Sequence, residues 1–287
     1  MGTNSKGETE RELFRDLFGD SDVETAETQE HCKQVTLPNT FDNSYSHLMG
    51  CIKNVDIRTL FNNDATEEAR EIPGLVFQKR ILPPELSTAF FKYLEHVYFS
   101  ETPKSGDTCD IQPRTNQGMY FGEFPQFHPF SFLEQICRLH PSLLPASIRN
   151  RTPSLFNQAI INLYDDEEGI GDHVDLFRFE DGVVGFSFGG PCVMQFRKAT
   201  QADKLKAAAQ DPKGPYGVSK KALCYENYHK ILLESGDVYA MSGEARYEWT
   251  HGIKETSREH LQGFDIARAR RISVTLRKLV DSNNGCN

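Results

Sequence analysis

The sequence predicts a protein of the α+β class, with an all-β core and flanking helices. Strand patterns dominate the C-terminal half, where the apolar runs Val183–Phe188 and Cys192–Phe196 are separated by a Gly-Gly-Pro turn signal. The run Arg271–Arg277 alternates polar and apolar side chains, which is the period of a strand with one polar face. Apolar residues nearer the N-terminus recur at helical spacing and predict a helix that packs on the sheet. They are Leu86, Phe90, Phe91, Leu94 and Val97.

Other elements can be predicted in chain order. The stretch Ile72–Gln78 is a predicted strand, and Pro83 and Pro84 mark the start of the helix that follows, because proline is tolerated in the first helical turn. A second helix is predicted at Phe132–His140 and a buried strand at Phe156–Leu163. After a further turn signal at Gly236-Asp237, the segment 230–241 returns to the sheet.

Composition limits the classes of protein to consider. A chain of 287 residues with 38% hydrophobic and 25% charged residues is ordinary for a globular protein. Its seven cysteines form no Cys-x-x-Cys pair, so neither a zinc knuckle nor a disulfide framework is expected. The sequence contains no apolar run suited to secretion or to a membrane span, and its start is too acidic for a mitochondrial transit peptide. We therefore expect free thiols in the cytoplasm, the nucleus or both.

Charge and composition also suggest how the domains are arranged. Residues 1–70 form an acidic region that we expect to be largely disordered, with a loop-like part from Thr36 to Arg70. The net charge of the chain is −9, but residues 71–287 hold 27 acidic and 25 basic side chains. The folded domain at 71–280 is therefore not one of the basic domains that bind double-stranded nucleic acid through its phosphates. A surface insertion with one short helix and a local excess of lysine is expected at 198–228, and residues 281–287 form a tail.

A candidate metal site is formed by His173, Asp175 and the distant His251. On a strand, residues two apart point to the same face, so His173 and Asp175 would present an imidazole and a carboxylate to one point. Two histidines and one carboxylate with open positions are the arrangement of non-haem Fe(II) oxygenases. A lone His-x-Asp is a weak motif, and a hydrogen-bonded histidine pair with an N-cap aspartate is the alternative.

Polar residues on predicted strands suggest a second ligand. Arg271 and Arg277 share one strand face with Ser273, and an arginine at each end suits a dicarboxylate because the guanidinium binds carboxylates in bidentate fashion. Asn162 and Tyr164 are also two residues apart on a predicted buried strand, where polar groups need partners.

The order Asn-x-Tyr, His-x-Asp, His and Arg-x5-Arg resembles the AlkB family of Fe(II)- and 2-oxoglutarate-dependent dioxygenases, from about Ile72 to Leu279. The resemblance implies a double-stranded β-helix, or jelly roll, with Fe(II) as cofactor and 2-oxoglutarate and O2 as co-substrates. It places Arg277 and Asn162 near the C1 carboxylate of 2-oxoglutarate, and Arg271 and Tyr164 at its C5 carboxylate. Ser273 stands where the bacterial pattern has asparagine.

The resemblance implies oxidative demethylation or hydroxylation of a modified nucleobase, in RNA or tRNA rather than DNA, because unpaired bases enter a buried site at low cost. The segment Met241–Gly252 resembles a branch that includes tRNA wobble-uridine hydroxylases. The segment Arg270–Arg277 is equally similar to a branch that acts on protein as well as nucleic acid. Oxidation of a protein side chain or of a small molecule, and an inactive jelly roll that serves as an interaction module, are the alternatives.

Four residues are candidate substrate contacts. In AlkB relatives the region corresponding to 114–124 is a lid over the target nucleotide, which would make Arg114 and Tyr120 contacts; an ordinary aromatic hairpin is the other interpretation. Arg178, just past the His-x-Asp, and Lys230 complete the set. The sequence makes no prediction of the oligomeric state.

Overall fold

The computed structural model describes residues 33–34, 43–61, 66–69, 71–99, 116–209 and 228–280. Two antiparallel sheets face each other in a double-stranded β-helix, and helices cover the outside of the larger sheet. The predicted fold class is therefore confirmed. None of the helices in these ranges has both the length and the apolar character needed to cross a membrane.

The large sheet contains eight strands. They are β1 (Lys33–Gln34), β2 (Thr66–Glu68), β3 (Leu75–Gln78), β4 (Gln117–Phe121), β5 (Gln158–Tyr164), β7 (Val183–Gly189), β10 (Val238–Met241) and β14 (Arg271–Arg277). Their order across the sheet is β1-β4-β5-β14-β7-β10-β3-β2. All neighbours are antiparallel except β1 and β4. The long strands β5, β14 and β7 thus lie at the centre of the large sheet.

The small sheet has the order β6-β11-β8-β9. Its strands are β6 (Ile170–His173), β8 (Cys192–Lys198), β9 (His229–Leu233) and β11 (Trp249–Ile253). A separate hairpin follows, formed by β12 (Arg258–Leu261) and β13 (Phe264–Ala267). Its two turn residues, Gln262 and Gly263, have φ of 52° and 86°. Two positive φ angles suit a tight hairpin turn, because they match the twist of the flanking strands.

Helices pack on the outer face of the large sheet. They are α1 (Asn43–Lys53), a 3-10 helix (Ile57–Phe61), α2 (Pro84–Leu94) with a π turn (Glu95–Phe99), α3 (Pro129–Leu139) and α4 (Ala146–Arg149). Two further helices, α5 (Gln201–Ala208) and α6 (Glu244–Tyr247), flank the small sheet. Pro84 and Pro129 occupy the first turns of α2 and α3, where a missing N–H costs nothing.

The two faces of the large sheet have different partners. Ile272, Val274 and Leu276 of β14 belong to the core beneath the helices. Because side chains alternate along a strand, Arg271, Ser273 and the other polar residues of β14 face the small sheet. A second apolar cluster, which includes Met241 and Phe196, joins the two sheets. The polar residues therefore lie inside the double-stranded β-helix, next to this apolar cluster.

One prediction for the N-terminal region is wrong in part. The part from Thr36 to Arg70 is not only loop, because α1 lies there and buries Leu48 completely against α2. Apolar residues at helical spacing, Tyr45, Leu48 and Ile52, explain this packing. The short helix predicted in the insertion is α5. Residues 1–32, 35–42, 210–227 and 281–287 lie outside the described residues, and so do the predictions made for them.

Candidate metal and co-substrate site

The three candidate metal ligands converge at one end of the small sheet. His173 ends β6 and lies directly opposite His251 of β11, with 4.3 Å between the ring centroids. Asp175 lies two residues beyond the end of β6, so it is not on the strand as we expected. The chain after His173 nevertheless turns the carboxylate back toward the rings. One ligand atom from each of the three residues lies within 4.8 Å of the others.

Both histidines are suited to bind a metal as neutral ligands. Burial, followed by the neighbouring His173, lowers the pKa of His251 to about 3. Burial also lowers the pKa of His173. The Nδ1 of His173 lies 2.9 Å from the carbonyl oxygen of Gly171. Because a carbonyl only accepts, Nδ1 carries the hydrogen and Nε2 keeps the lone pair that a metal requires.

Asp175 is a buried carboxylate with one oxygen left for a metal. Burial raises its pKa, but the charge of Arg277 and further neighbours outweigh this, and the pKa lies below its ordinary value. Oδ1 accepts from Arg277 Nη2 at 2.7 Å. Oδ2 lies 3.9 Å from His251 Nε2 and has no hydrogen-bond partner within the described residues. A buried, unpaired carboxylate oxygen between two neutral imidazoles fits a divalent cation.

Arg271 is almost fully buried, with 1% of its surface exposed, and lies in a pocket of hydroxyl groups. Its Nε donates to Ser187 Oγ at 2.9 Å, and its guanidinium lies 5.4 Å from the centroid of the Tyr164 ring. Burial raises the pKa of Tyr164, and the charge of Arg271 partly offsets this rise. In the described part of the chain, Nη1 of Arg271 has no hydrogen-bond partner. A buried cationic donor without a partner fits one carboxylate of 2-oxoglutarate.

A cavity of about 510 Å³ opens beside these residues. Asn162 and Tyr164 line it, and Gln117 Nε2 donates to Asn162 Oδ1 at 2.8 Å. Glu168 lines it as well, and its Oε1 accepts from Asn116 Nδ2 at 2.7 Å. Glu167 and Glu255 also line the cavity, and none of its described lining residues is basic. This cavity is therefore acidic, and it adjoins the site through Asn162 and Tyr164.

Three residues that the sequence analysis did not select contribute to the site. Ser187 of β7 binds Arg271, and a serine within an otherwise apolar strand was its only signal. Tyr239 of β10 lies across Gly185, where an added Cβ would be 2.3 Å from its ring. Burial, and next the charge of Asp175, raise the pKa of Tyr239. The hydroxyl therefore stays protonated beside the site.

The third residue, Arg246 of α6, holds the segment that carries Asp175. Its Nη1 donates to the Asp175 carbonyl oxygen at 2.9 Å. Its Nη2 donates to the carbonyl oxygens of Leu176 at 2.7 Å and Phe179 at 3.1 Å. One buried guanidinium thus fixes three peptide groups of a segment outside any strand. In the sequence, this role could have been suggested only by the basic residue in the run Ser-Gly-Glu-Ala-Arg-Tyr.

The candidate substrate residues are not brought together. In β4 the side chain of Met119 points to the inside of the double-stranded β-helix, so that of the next residue, Tyr120, points outward to the helices. There its ring packs against His128 and Phe130. Lys230 alternates with the inward Ile231 on β9 and is exposed on the outer face of the small sheet. Arg178 is half-buried in the segment after Asp175, with its guanidinium 5.5 Å from the Phe179 ring centroid. Arg114 lies outside the described residues.

Comparisons with known proteins agree with this geometry. Residues 106–277 match the family model of the 2OG-Fe(II) oxygenase superfamily. The chain is 33% identical over 169 residues to the Arabidopsis thaliana protein named alkylated DNA repair protein ALKBH8 homolog, across 58% of this chain and 44% of that protein. It is 28% identical over 130 residues to the Mus musculus tRNA (carboxymethyluridine(34)-5-O)-methyltransferase ALKBH8, across 45% of this chain and 16% of the relative.

The chain thus spans less than half the length of these relatives. The solved structure of OsALKBH1 is 16% identical and aligns with 72% of this chain and 98% of its own, at a TM-score of 0.43. The family match covers more than half of the chain, including the whole small sheet, all three candidate metal ligands and both arginines. The chain therefore belongs to the 2OG-Fe(II) oxygenase superfamily.

Proposed function

We propose that this chain uses the site at His173, Asp175 and His251 to oxidise a C–H bond of a modified nucleobase in RNA. The observation that carries the proposal is the convergence of these three residues, within 4.8 Å, next to two largely buried arginines. When bound, Fe(II), 2-oxoglutarate and O2 supply the oxidising chemistry, in which one oxygen atom enters the substrate and the other enters succinate, with release of CO2.

The residues of the chain hold these groups in register. The neutral histidines and the ionised Asp175 would bind the metal. Arg271 and Tyr164 would bind the C5 carboxylate of 2-oxoglutarate, and Asn162 and Arg277 would lie near its C1 carboxylate. The hydroxyl group of Ser187 orients Arg271.

A nucleobase is the preferred substrate because the relatives carry names of nucleic-acid enzymes. One name refers to alkylated DNA repair and the other to carboxymethyluridine in tRNA. If the oxidised carbon is an N-methyl group, the product releases formaldehyde and leaves a free amine. If the carbon is a methylene or a ring substituent, hydroxylation is the end point. Because the domain is nearly neutral, recognition would depend on one accessible base more than on many phosphates.

A second candidate is a cationic side chain of a protein substrate. The cavity beside Asn162 and Tyr164 is lined by Glu167, Glu168 and Glu255. Carboxylates beside a site attract a methylated lysine or arginine and repel phosphate groups. This observation favours the protein substrate, whereas the names of the relatives favour the nucleobase.

The first experiment tests the chemistry. Purified protein should bind Mn(II) in place of Fe(II), and with Fe(II) and O2 should convert 2-oxoglutarate to succinate. The double variant His173→Ala/Asp175→Ala should do neither while remaining folded. His260→Ala is a matched control, because His260 is exposed on β12 and pairs with Asp265 at 3.0 Å away from the site. Equal succinate production by the folded double variant would exclude this site.

The second experiment tests the substrate. Mass spectrometry should compare tRNA, other RNA, DNA and protein from cells with wild-type protein and cells with the His173→Ala variant. A nucleoside that accumulates only with the variant would support the nucleobase. If all nucleosides were unchanged while a methylated or hydroxylated peptide responded, the protein substrate would replace it.

A further inference from the structure

Asp172 immediately precedes the metal-ligand candidate His173, on a strand that the backbone holds weakly. Strand β6 has four residues and lies at the edge of the small sheet, where β11 is its only strand neighbour among the described residues. Its register with β11 is regular at His173 and His251 but shifts before Ile253. Such a short, irregular edge strand needs side-chain contacts to fix its position.

The carboxylate of Asp172 supplies these contacts by reaching across the neighbouring strand. It passes over Gly252 of β11, where an added Cβ would lie 2.5 Å from Asp172 Oδ1. On the far side, Gln195 Nε2 of β8 donates to Oδ1 at 3.0 Å, and Arg197 Nε donates to Oδ2 at 3.2 Å. The missing side chain at position 252 therefore lets β6 bind directly to β8.

The same carboxylate is linked to both ends of the insertion, directly at one end and through Arg197 at the other. Tyr228, at its C-terminal end, donates its hydroxyl to Asp172 Oδ2 at 2.8 Å. At the N-terminal end, Arg197 also pairs with Asp203 of α5, with 2.9 Å between Nη1 and Oδ2. Asp203 in turn forms a capping box with Thr200. The side chains of Asp172, Arg197 and Asp203 are only 14%, 11% and 14% exposed, so solvent screens these contacts weakly.

We propose that Asp172 is a positioning residue, which acts through Arg197 and Tyr228 to hold His173 opposite His251. The ring of His173 is oriented by the backbone of its own strand, through the Gly171 carbonyl oxygen. A shift of β6 therefore moves the ring away from His251 and away from the carboxylate of Asp175. The inference rests on the proposed iron site but not on any particular substrate.

The experiment measures metal binding and not only turnover. Mn(II) and Co(II) affinities, the visible spectrum of the Co(II) protein and the apparent KM for 2-oxoglutarate should be determined for the full chain. Asp172→Ala should weaken the affinity for both ions about tenfold, as expected for a group that orients a metal ligand. Asp172→Asn should lie between wild type and Asp172→Ala, because it keeps an oxygen that accepts from Tyr228 but loses the charge opposite Arg197.

Glu259→Gln is the matched control. Glu259 is also a shielded carboxylate on the small-sheet side, and it binds Arg268 at 3.1 Å and the backbone N–H of Val193 in β8 at 2.7 Å. Its loss should lower the melting temperature without changing metal affinity. Tyr228→Phe removes a single hydrogen bond and should weaken metal binding by about threefold even if Asp172→Ala fails to fold.

The results separate the possible roles. If Asp172→Ala or Tyr228→Phe lowered the melting temperature but left the Co(II) spectrum and both affinities unchanged, Asp172 would be merely structural and the inference would be wrong. Wild-type protein that bound neither ion would overturn the iron site itself, and this inference with it.

Discussion

Arg277 Nη2 lies 2.7 Å from Asp175 Oδ1, so the arginine expected near 2-oxoglutarate is bonded to the carboxylate expected to bind the metal. The arginine comes from β14 of the large sheet, and the aspartate follows β6 of the small one. This ion pair therefore connects the co-substrate half of the site to the metal half.

We predict that Arg277→Lys weakens both functions of the site. Lysine keeps the charge but lacks the planar fork that can contact Asp175 and a carboxylate together. The apparent affinity for 2-oxoglutarate should fall by about 1.5–3 kcal/mol, the range for a charged hydrogen bond. Titration of succinate production with 2-oxoglutarate measures this. Arg270→Lys is the control, because Arg270 is exposed and pairs with Glu95 and Asp165; equal behaviour of the two variants would contradict the assignment.

Arg271→Lys should impair co-substrate binding and leave metal binding intact. Arg271 is bonded to Ser187 and lies against Tyr164, and within the described residues no hydrogen bond or ion pair joins it to the three metal-ligand candidates. Lysine lacks the planar fork that can hold Ser187 with Nε and still offer its Nη atoms to a carboxylate, so the affinity for 2-oxoglutarate should fall by about 1.5–3 kcal/mol. Mn(II) affinity, measured without 2-oxoglutarate, should stay within twofold of wild type. If succinate production by Arg271→Lys depended on the 2-oxoglutarate concentration as in wild type, Arg271 would not be part of the co-substrate site.

Gly185→Ala and Gly50→Ala should have opposite effects on stability. A Cβ at Gly185 would lie 2.3 Å from the Tyr239 ring inside the double-stranded β-helix, and overpacking of this kind costs about 1–3 kcal/mol. At Gly50, inside α1, nothing lies within 4 Å of an added Cβ, and alanine favours a helix over glycine by about 0.5–1 kcal/mol. Chemical denaturation measures both. A destabilising Gly50→Ala would contradict the helix at α1.

The stability of the protein should fall in acid partly because of His128. This buried histidine caps α3 by accepting from the Phe130 N–H at its Nδ1, and burial lowers its pKa from 6.5 to about 4. The unfolded chain binds the proton on His128 more readily than the folded protein does. The contribution of neutral His128 to the free energy of unfolding is therefore complete above about pH 6.5 and is lost as the pH falls toward 4. The full loss is roughly 3 kcal/mol.

His128→Asn keeps an oxygen that can cap the helix but cannot titrate in this range. The free energy of unfolding should therefore fall less steeply for the variant than for wild type between pH 6.5 and 4. Other titrating groups are common to both proteins and cancel in the difference. Parallel pH curves would show that His128 is not responsible.

Local patterns in the sequence predict much of the fold. Strand β14 has the predicted bounds Arg271–Arg277, because strict alternation marks both its length and its two faces. The helix α1 was missed although Tyr45, Leu48 and Ile52 have helical spacing, since Ser46 and Gly50 between them disfavour a helix. Its stability comes from the contact of Leu48 with the core, which no local pattern contains.

The residues of the candidate site could likewise be predicted only in part. His173, Asp175 and His251 could be selected because their residue types fit a metal, and the structure brings them together. Tyr120 was selected as a substrate contact, but the register of Met119 opposite Ile160 turns Tyr120 toward the helices. Ser187, Tyr239 and Arg246 were missed because their roles depend on which strand or segment lies opposite them. Strand register is a property of the tertiary structure, and a shift of one residue reverses every side chain.

The separation of the site between two sheets has a consequence for folding. His173 and His251 lie far apart in the chain and meet only when β6 has paired with β11, while Arg277 reaches Asp175 only when the two sheets have docked. An unfolded chain therefore offers no such site, and a metal ion binds almost exclusively to the native state. At a free ion concentration 100 times the Kd, this selective binding would stabilise the fold by about 2.7 kcal/mol. The supply of iron would thus set how long the protein survives, as well as whether it can turn over.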